Sequence, residues 1–597
     1  MSEQPYNDVE KIVFAFDCGT TMTAISFAHL LPGQVPEVHF VNRWPSQEDA
    51  AGNCKVPTVV RYNASGTAVS FGAAAVDNDA AADEDDDDES ETNLAYWFKL
   101  LLHPTEMRDA NKLDVPPLPP NVTLRKVYAD FLRFAFTHAR DSFIRNNPDG
   151  AALWARLGNT FELVYAIPNG WGGTQQSFIR EALVAANVFP ATFSPNRLAF
   201  VSEAEASAHF ALEHMGIAHW LKVGSVFAVL DAGGSTVDTT IYRCTAVAPK
   251  VRLEEVTSSE CVQAGSVCVD IAFGGILHEL LAGSRVGADE YYVGEMLKTF
   301  ESKTKRKFTG QEDQAIIQFG PPSVNDKPRG IRMGRLTVAT KDMQRAFDPS
   351  VSAIVESVQR AVKRARVSCD TFLLVGGFAE SPYLRDALQR GLKMHGIQLV
   401  FSDEPTKKAA AEGACLWHVK SYVSARAARY TYGVRCAKIY NGLSPVHYER
   451  RHLTHVDAAG DVLLPGFLDV LNAVLDNDSS VSRAYCRVSP RQFTAKDLQD
   501  FEVEILYTSD QNPGHWADTI DGGCIPGLSV ACKISANLSG LLDAKELRVT
   551  PNGRPYWQMS FMVEMFFGQT ALKAGLVWEE KGVTKRGPVT IIANSVV

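Results

Sequence analysis

Ile12-Val13-Phe14-Ala15-Phe16 is an unbroken apolar run that ends in Asp17, the pattern of a strand buried on both faces. Cys18-Gly19-Thr20-Thr21 supplies a turn and Thr23-Ala24-Ile25-Ser26-Phe27 a second strand, so the segment predicts a β-hairpin. The pattern returns far downstream. Val226-Phe227-Ala228-Val229-Leu230 ends in Asp231, turns through Ala232-Gly233-Gly234-Ser235-Thr236 and continues as Val237-Asp238-Thr239-Thr240-Ile241-Tyr242. The chain therefore reads as two related halves.

Val127, Phe131, Phe134 and Phe143 predict a helix after the surface crossing marked by Pro116, Pro117, Pro119 and Pro120. From Val351, the spacing of Ile354, Val355, Val358 and Val362 predicts an amphipathic helix leading into the strand Thr371-Phe372-Leu373-Leu374-Val375. Gly376-Gly377 breaks that strand, and Ser381-Pro382 starts a helix with Leu384, Leu388 and Leu392 on one face. Strand and helix in this alternation make an α/β architecture. Beyond Trp417 the period changes to two, as in Phe501-Glu502-Val503-Glu504-Ile505-Leu506-Tyr507, and Asn552-Gly553 marks a hairpin. The expected organisation is an α/β domain over 1–420, a linker over 421–434 and a smaller β-rich domain over 435–597.

Composition narrows the function. Hydrophobic residues are 46% and charged residues 21% of 597, which excludes a disordered or fibrous chain. A net charge of -10 repels phosphate backbones and anionic lipid, so neither nucleic acid nor membrane is expected as a partner. Much of that charge sits in the acidic run from Asp83 to Glu89, which predicts a solvated insertion over 77–92 because contiguous carboxylates lack the spaced ligands of a calcium loop. The first residues show no signal peptide, and the cysteines form no Cys-x-x-Cys pair, so a cytoplasmic protein with reduced thiols is expected.

Two Asp-ended strands with small-residue turns can converge on one polyphosphate. Backbone N–H groups of such turns hold phosphate oxygens, and the hydroxyls of Thr20, Thr21 and Thr236 can donate to them. Mg²⁺ keeps most of its waters and needs only one or two protein carboxylates, here Asp17 and Asp231. No Gly-Lys dipeptide exists to build a P-loop, and His278-Glu279 lacks the second histidine of a zinc protease.

In the order DCGTT, DAGGSTVD, LLVGGF these motifs resemble the actin, hexokinase and 70-kDa heat-shock protein superfamily, and most closely its heat-shock ATPase domain. Tyr165-Ala166-Ile167-Pro168-Asn169 and Val201-Ser202-Glu203-Ala204-Glu205 fall where that family has its valine-proline and asparagine-glutamate-proline segments. Tyr96-Trp97-Phe98-Lys99 and Thr431-Tyr432-Gly433-Val434 fit the divergent subgroup typified by the heat-shock 70-kDa protein 12 type and its fungal relatives. The resemblance covers residues 11 to 420 and implies a two-lobed, actin-like, duplicated ribonuclease H-like ATPase domain using ATP/ADP and Mg²⁺. It implies Asp17 and Asp231 on the Mg²⁺ waters, and Gly19, Thr20, Thr21, Gly233, Gly234, Ser235 and Thr236 on the phosphates. Lys99 would stabilise the γ-phosphate, Glu203 would accept from a metal-bound water and Asp238 would orient the attacking water. Gly376 and Gly377 would pack the adenosine, with Glu301, Lys305 and Arg306 as the facing wall.

Departures accompany the resemblance. Phe378-Ala379-Glu380 replaces the family's serine-threonine-arginine, and Ser424 to Arg429 replaces its acidic-leucine linker. The expected function is a slowly hydrolysing, atypical heat-shock 70-like chaperone or switch with a polypeptide client or exchange factor. A scaffold that binds ATP without turnover and a small-molecule kinase of the same superfamily are the alternatives.

Overall fold

The structure is a computed structural model that describes residues 5–47, 54–77, 92–104, 107, 115–248, 250–401, 408–425, 430–471, 479–488, 501–510, 512–536, 546–550, 552–553, 555–566, 573–580, 583–587 and 590–591. The acidic run 83–89 and the linker residues 426–429 lie outside these. The chain divides into two compact units, one of Met1–Trp171 with Ser177–Val423, the other of Gly172–Gln176 with Ser424–Val596.

Both predicted hairpins form in the first unit. Lys11–Cys18 pairs antiparallel with Met22–Leu30 and parallel with Glu162–Ile167, which pairs parallel with Leu198–Ser202. Val226–Ala232 pairs antiparallel with Val237–Ala246 and parallel with Thr371–Val375, which pairs parallel with Gln398–Phe401. The second sheet thus repeats the strand order of the first. The first strand of each hairpin is apolar on both faces because each sheet is covered on both sides. Phe14 shows why the run tolerates no polar residue: its ring meets those of Phe27, Phe136, Phe143, Trp154 and Phe161 at centroid distances of 6.0, 5.6, 6.1, 6.2 and 5.8 Å. Each such ring stabilises the fold by about 1.5–3 kcal/mol through burial alone.

The expected helices are present with altered bounds. Leu124–Asn146 starts at the cap Thr123, whose side chain accepts from the Lys126 N–H, and Pro382–Lys393 starts at Ser381, which accepts from the Leu384 N–H. The helix expected from Val351 begins upstream, at Thr340, and runs to Ala365. It carries Pro349 in its interior, where burial of Met343 and Phe347 before the proline and Ile354 and Val358 after it outweighs one lost backbone hydrogen bond.

After its last parallel strand each sheet is followed by a helix, Glu203–His214 or Ala409–Lys420. These two helices cross through small residues. A Cβ at Gly413 would stand 1.7 Å from the Ala206 carbonyl oxygen. Trp417 Nε1 donates to Glu205 Oε1 at 2.7 Å, and His214 Nε2 meets Glu412 Oε1 at 2.6 Å, so polar contacts flank the crossing.

In the second unit the described strands form two antiparallel sheets. One has the order His455–Val456, Val462–Leu471, Thr431–Ile439, Phe501–Thr508, Ser529–Ala536; the other is built on Ser479–Val488, Pro555–Phe566 and Lys573–Glu580. Tyr432, Ile505 and Ile534 of the first cluster with Phe561, Val563 and Leu576 of the second, which joins the sheets by their apolar faces. Sheet structure begins at Thr431, four residues before the expected boundary. Gly553, at φ 74°, turns the predicted hairpin between Glu546–Val549 and Pro555–Phe566. Among the described residues no helix is long and apolar enough to cross a membrane.

Candidate functional site

Each hairpin delivers its aspartate to the end of a central strand, where the turn begins. Asp17 lies opposite Ala24 across the first hairpin, and Asp231 opposite Asp238 across the second. Both aspartates line one cavity of about 380 Å³ in the first unit.

The two turns face one another there. A Cβ at Gly234 would come 3.2 Å from Thr21 Oγ1, and one at Gly19 would come 2.3 Å from the Met22 carbonyl. Gly19, Thr20, Thr21, Gly233, Gly234, Ser235 and Thr236 all reach the cavity wall. In the second turn the carbonyls of Gly233, Gly234 and Ser235 accept from the N–H groups of Ser266, Val267 and Gly265 at 3.2, 2.8 and 2.9 Å. Planar peptide units then turn the N–H groups of Gly234, Ser235 and Thr236 the other way. Gly265 is obligatory to this packing, since its Cβ would sit 2.5 Å from the Gly234 carbonyl carbon.

Gly376, at φ 96°, and Gly377 follow the strand Thr371–Val375 and line the same cavity. A Cβ at Gly376 would fall 2.4 Å from Asp231 Oδ1, so glycine is needed both for the backbone and for the carboxylate. Glu301, Lys305 and Arg306 line the same cavity. They belong to a π-helical segment, Phe300–Thr304, and the short helix after it. Lys305 Nζ contacts Asp270 Oδ2 at 2.6 Å, so this wall is held from behind.

Lys99 is buried, where a lysine beside Trp97 on a helix surface is the alternative reading of the sequence. It lies on the 3₁₀ turn Phe98–Leu102, entered through Trp97 at φ 54°, a left-handed conformation that a bulky residue adopts only under constraint. Its Nζ meets Glu203 Oε1 at 2.8 Å. Glu203 opens the helix Glu203–His214, and one turn on Ser207 donates from Oγ to Asp231 Oδ2.

Asp238 is buried on the second strand of the hairpin, directly opposite Asp231. Its Oδ1 accepts from the Asn169 N–H at 3.1 Å, which ties the segment after Pro168 to the hairpin. Lys55, absent from the expected set, lines the cavity with Nζ 3.8 Å from Asp17 Oδ2.

The electrostatics are those of crowded carboxylates. Burial, with Glu203 next and then Asp238 and Asp17, pushes Asp231 up to about 8 against the hydrogen bond from Ser207. Burial and Glu203 bring Asp238 up to about 7. Glu203 is raised by burial and Asp17, with Lys99 opposing. Lys99 is itself raised, because the Glu203 and Asp17 carboxylates outweigh the burial that disfavours its charge. Four acidic groups thus crowd two ammonium groups, and a divalent cation beside them would favour their ionised forms. Among the described residues no three His, Cys, Asp or Glu side chains form a ligand cage.

The raised groups set a pH dependence. In the unfolded chain Asp231 and Asp238 ionise near the usual ~4, whereas folded they hold protons to about 8 and about 7. The folded state binds more protons across this window, so stability present at low pH is lost as pH rises. Without ligand the melting temperature is expected to fall between pH 5 and pH 8, and Asp231→Asn to flatten that fall. A melting temperature that rises over the window in wild type contradicts the assignment.

A mixed α/β chain with several sheets and this site is consistent with an actin-like ATPase fold. The comparisons with known proteins agree. The human heat shock 70 kDa protein 12B is 23% identical over 507 residues, covering 71% of this chain and 71% of its own. The mouse and human heat shock 70 kDa proteins 12A are each 22% identical, over 470 and 473 residues, covering 63% of this chain and 65% of theirs. The chain thus spans a little less than two thirds of the 12A relatives, and no family model matches it. The three relatives support a divergent heat-shock 70-like family member.

Proposed function

We propose that residues 1–420 form a two-lobed, actin-like nucleotide-binding domain that clasps Mg²⁺·ATP between its two hairpin turns and hydrolyses it slowly. The observation that carries this is one cavity lined by two facing Gly/Thr turns with Asp17, Asp231, Glu203 and Lys99, where backbone donors and crowded carboxyl groups coincide.

In this reading the turn residues from Gly19 to Thr21 and from Gly233 to Thr236 bind the phosphates. Asp17 and Asp231 would hold the Mg²⁺ waters, and the ion would supply positive charge beside the phosphates. Lys99 places its ammonium against charge that grows on the transferred phosphoryl, and Glu203 holds that lysine and accepts from water. Gly376 and Gly377 offer a flat surface to the adenosine. Phe378, Glu380 and Ser381 also line the cavity, so the base is met by different chemistry from the serine and arginine of the family pattern.

ATP occupancy would set the lobes and act as a switch, in the cytoplasm, for a polypeptide client or exchange factor read by a β-rich C-terminal domain over 435–597, with neither nucleic acid nor membrane as partner. Titration calorimetry tests the binding. ATP is expected to bind in Mg²⁺ and to lose at least about tenfold in affinity when EDTA removes the metal, the scale of a charge-assisted contact network. Equal affinity with and without the metal contradicts the role of the aspartates.

A further inference from the structure

Behind the second phosphate turn three side chains from separate segments form a buried line. Trp171 Nε1 lies 2.9 Å from His103 Nδ1, and His103 Nε2 lies 3.0 Å from Ser235 Oγ. Trp171, His103 and Ser235 are all buried, and Ser235 lines the cavity. An indole nitrogen can only donate, so His103 Nδ1 must accept and carries no hydrogen. The neutral imidazole then has its hydrogen on Nε2, and Nε2 donates to Ser235 Oγ. With one lone pair engaged from behind, the serine keeps its single hydrogen for a partner in front, where the cavity lies.

We propose that Trp171 and His103 are positioning residues that set the Ser235 hydroxyl as a donor toward a phosphate oxygen in the cavity, an inference that rests on the nucleotide reading above. The relay is built into the segment that also aims Lys99. His103 caps the 3₁₀ turn Phe98–Leu102, with its N–H on the Leu100 carbonyl at 3.2 Å. The face of Trp171 lies 5.5 Å from Lys99 Nζ, so one indole supports the lysine with its ring and the histidine with its N–H. Without that N–H, Nδ1 no longer has to accept from Trp171 and the imidazole can carry its hydrogen there. Nε2 then takes the hydrogen of Ser235, and the hydroxyl presents a lone pair to an anion. The relay thus decides the sign of one contact to phosphate.

Trp171→Phe keeps the ring and deletes the N–H. In calorimetric titrations of the full chain with Mg²⁺·ATP, Trp171→Phe and Ser235→Ala are each expected to weaken binding about tenfold, the scale of one hydrogen bond to a charged group. The double variant is expected to be no weaker than either alone, because both remove the same contact. His103→Gln, whose amide nitrogen can donate from the place of Nε2, is expected to bind more tightly than His103→Ala. Nitrogen-15 spectra of histidine-labelled protein, assigned by difference from His103→Gln, should show His103 with hydrogen on Nε2 in wild type and on Nδ1 in Trp171→Phe. Wild-type affinity in Trp171→Phe, effects that multiply in the double variant, or an Nδ1 hydrogen in wild type would overturn the relay while leaving nucleotide binding intact. Failure of the wild type itself to bind Mg²⁺·ATP would instead overturn the nucleotide reading, and the relay with it.

Discussion

Lys99→Ala is expected to slow single-turnover hydrolysis of Mg²⁺·ATP at least about a hundredfold, the usual consequence of removing one preorganised donor from a developing oxyanion. The same change breaks a buried ion pair of 2.8 Å with Glu203. Such breaks destabilise proteins by about 3–5 kcal/mol when the stranded charge has no other outlet. Glu203 has one, because burial and Asp17 already favour its protonated form, so the loss should fall at or below the lower end of that range. The two effects separate in a double variant. Adding Glu203→Gln to Lys99→Ala removes the stranded carboxylate and should recover the melting temperature, yet hydrolysis should stay slow. Rapid-quench kinetics and thermal melting of the pair decide the matter. Recovery of hydrolysis together with stability would reduce Lys99 to a structural counter-ion.

Gly413→Ala is expected to destabilise the first unit by more than about 3 kcal/mol, beyond the common range for an added methyl in a packed core. Its Cβ would lie 1.7 Å from the Ala206 carbonyl oxygen and 2.4 Å from its carbon, both backbone atoms of the crossing helix. A side chain could rotate away; a helix backbone has to translate. The helix that would move carries Glu203 and Ser207, so Mg²⁺·ATP affinity should fall with stability. Gly275→Ala is the control of opposite sign. It lies within the helix Ser266–Leu280 with nothing inside 4 Å of its added Cβ, and should stabilise by about 0.5–1 kcal/mol through helix propensity. Denaturant melts of both variants test the pair. Equal stability of Gly413→Ala and wild type would mean that the helices do not cross at this distance.

Both hairpins were legible because their signal is local: an apolar run, a terminal aspartate and a turn of small residues within twenty positions. The Gly-Gly turn after Thr371–Val375 was legible for the same reason. Asp238 was legible with its hairpin, since the register of the two strands sets it opposite Asp231. Lys99 was visible only through motif resemblance, since the burial of one lysine depends on Glu203, 104 residues away. Lys55, His103, Trp171 and Gly265 were missed because each gains its role from a partner brought in by tertiary structure. Ser207 carries a signal in the sequence, since it falls four residues after Glu203, on one face of the same helix. Of the basic run Lys303 to Lys307, Lys305 and Arg306 are the ones that reach the cavity, a choice made by the π-helical segment Phe300–Thr304 that no propensity forecasts.

The central claim is that the two aspartate hairpins form one Mg²⁺·ATP site that turns over. Single-turnover hydrolysis by the purified chain tests it most directly, with nucleotide binding followed in parallel for wild type and Asp231→Ala. The account predicts that wild type binds and hydrolyses Mg²⁺·ATP and that Asp231→Ala does neither. A wild type that binds no nucleotide, or an Asp231→Ala variant that binds and hydrolyses as wild type does, would contradict it.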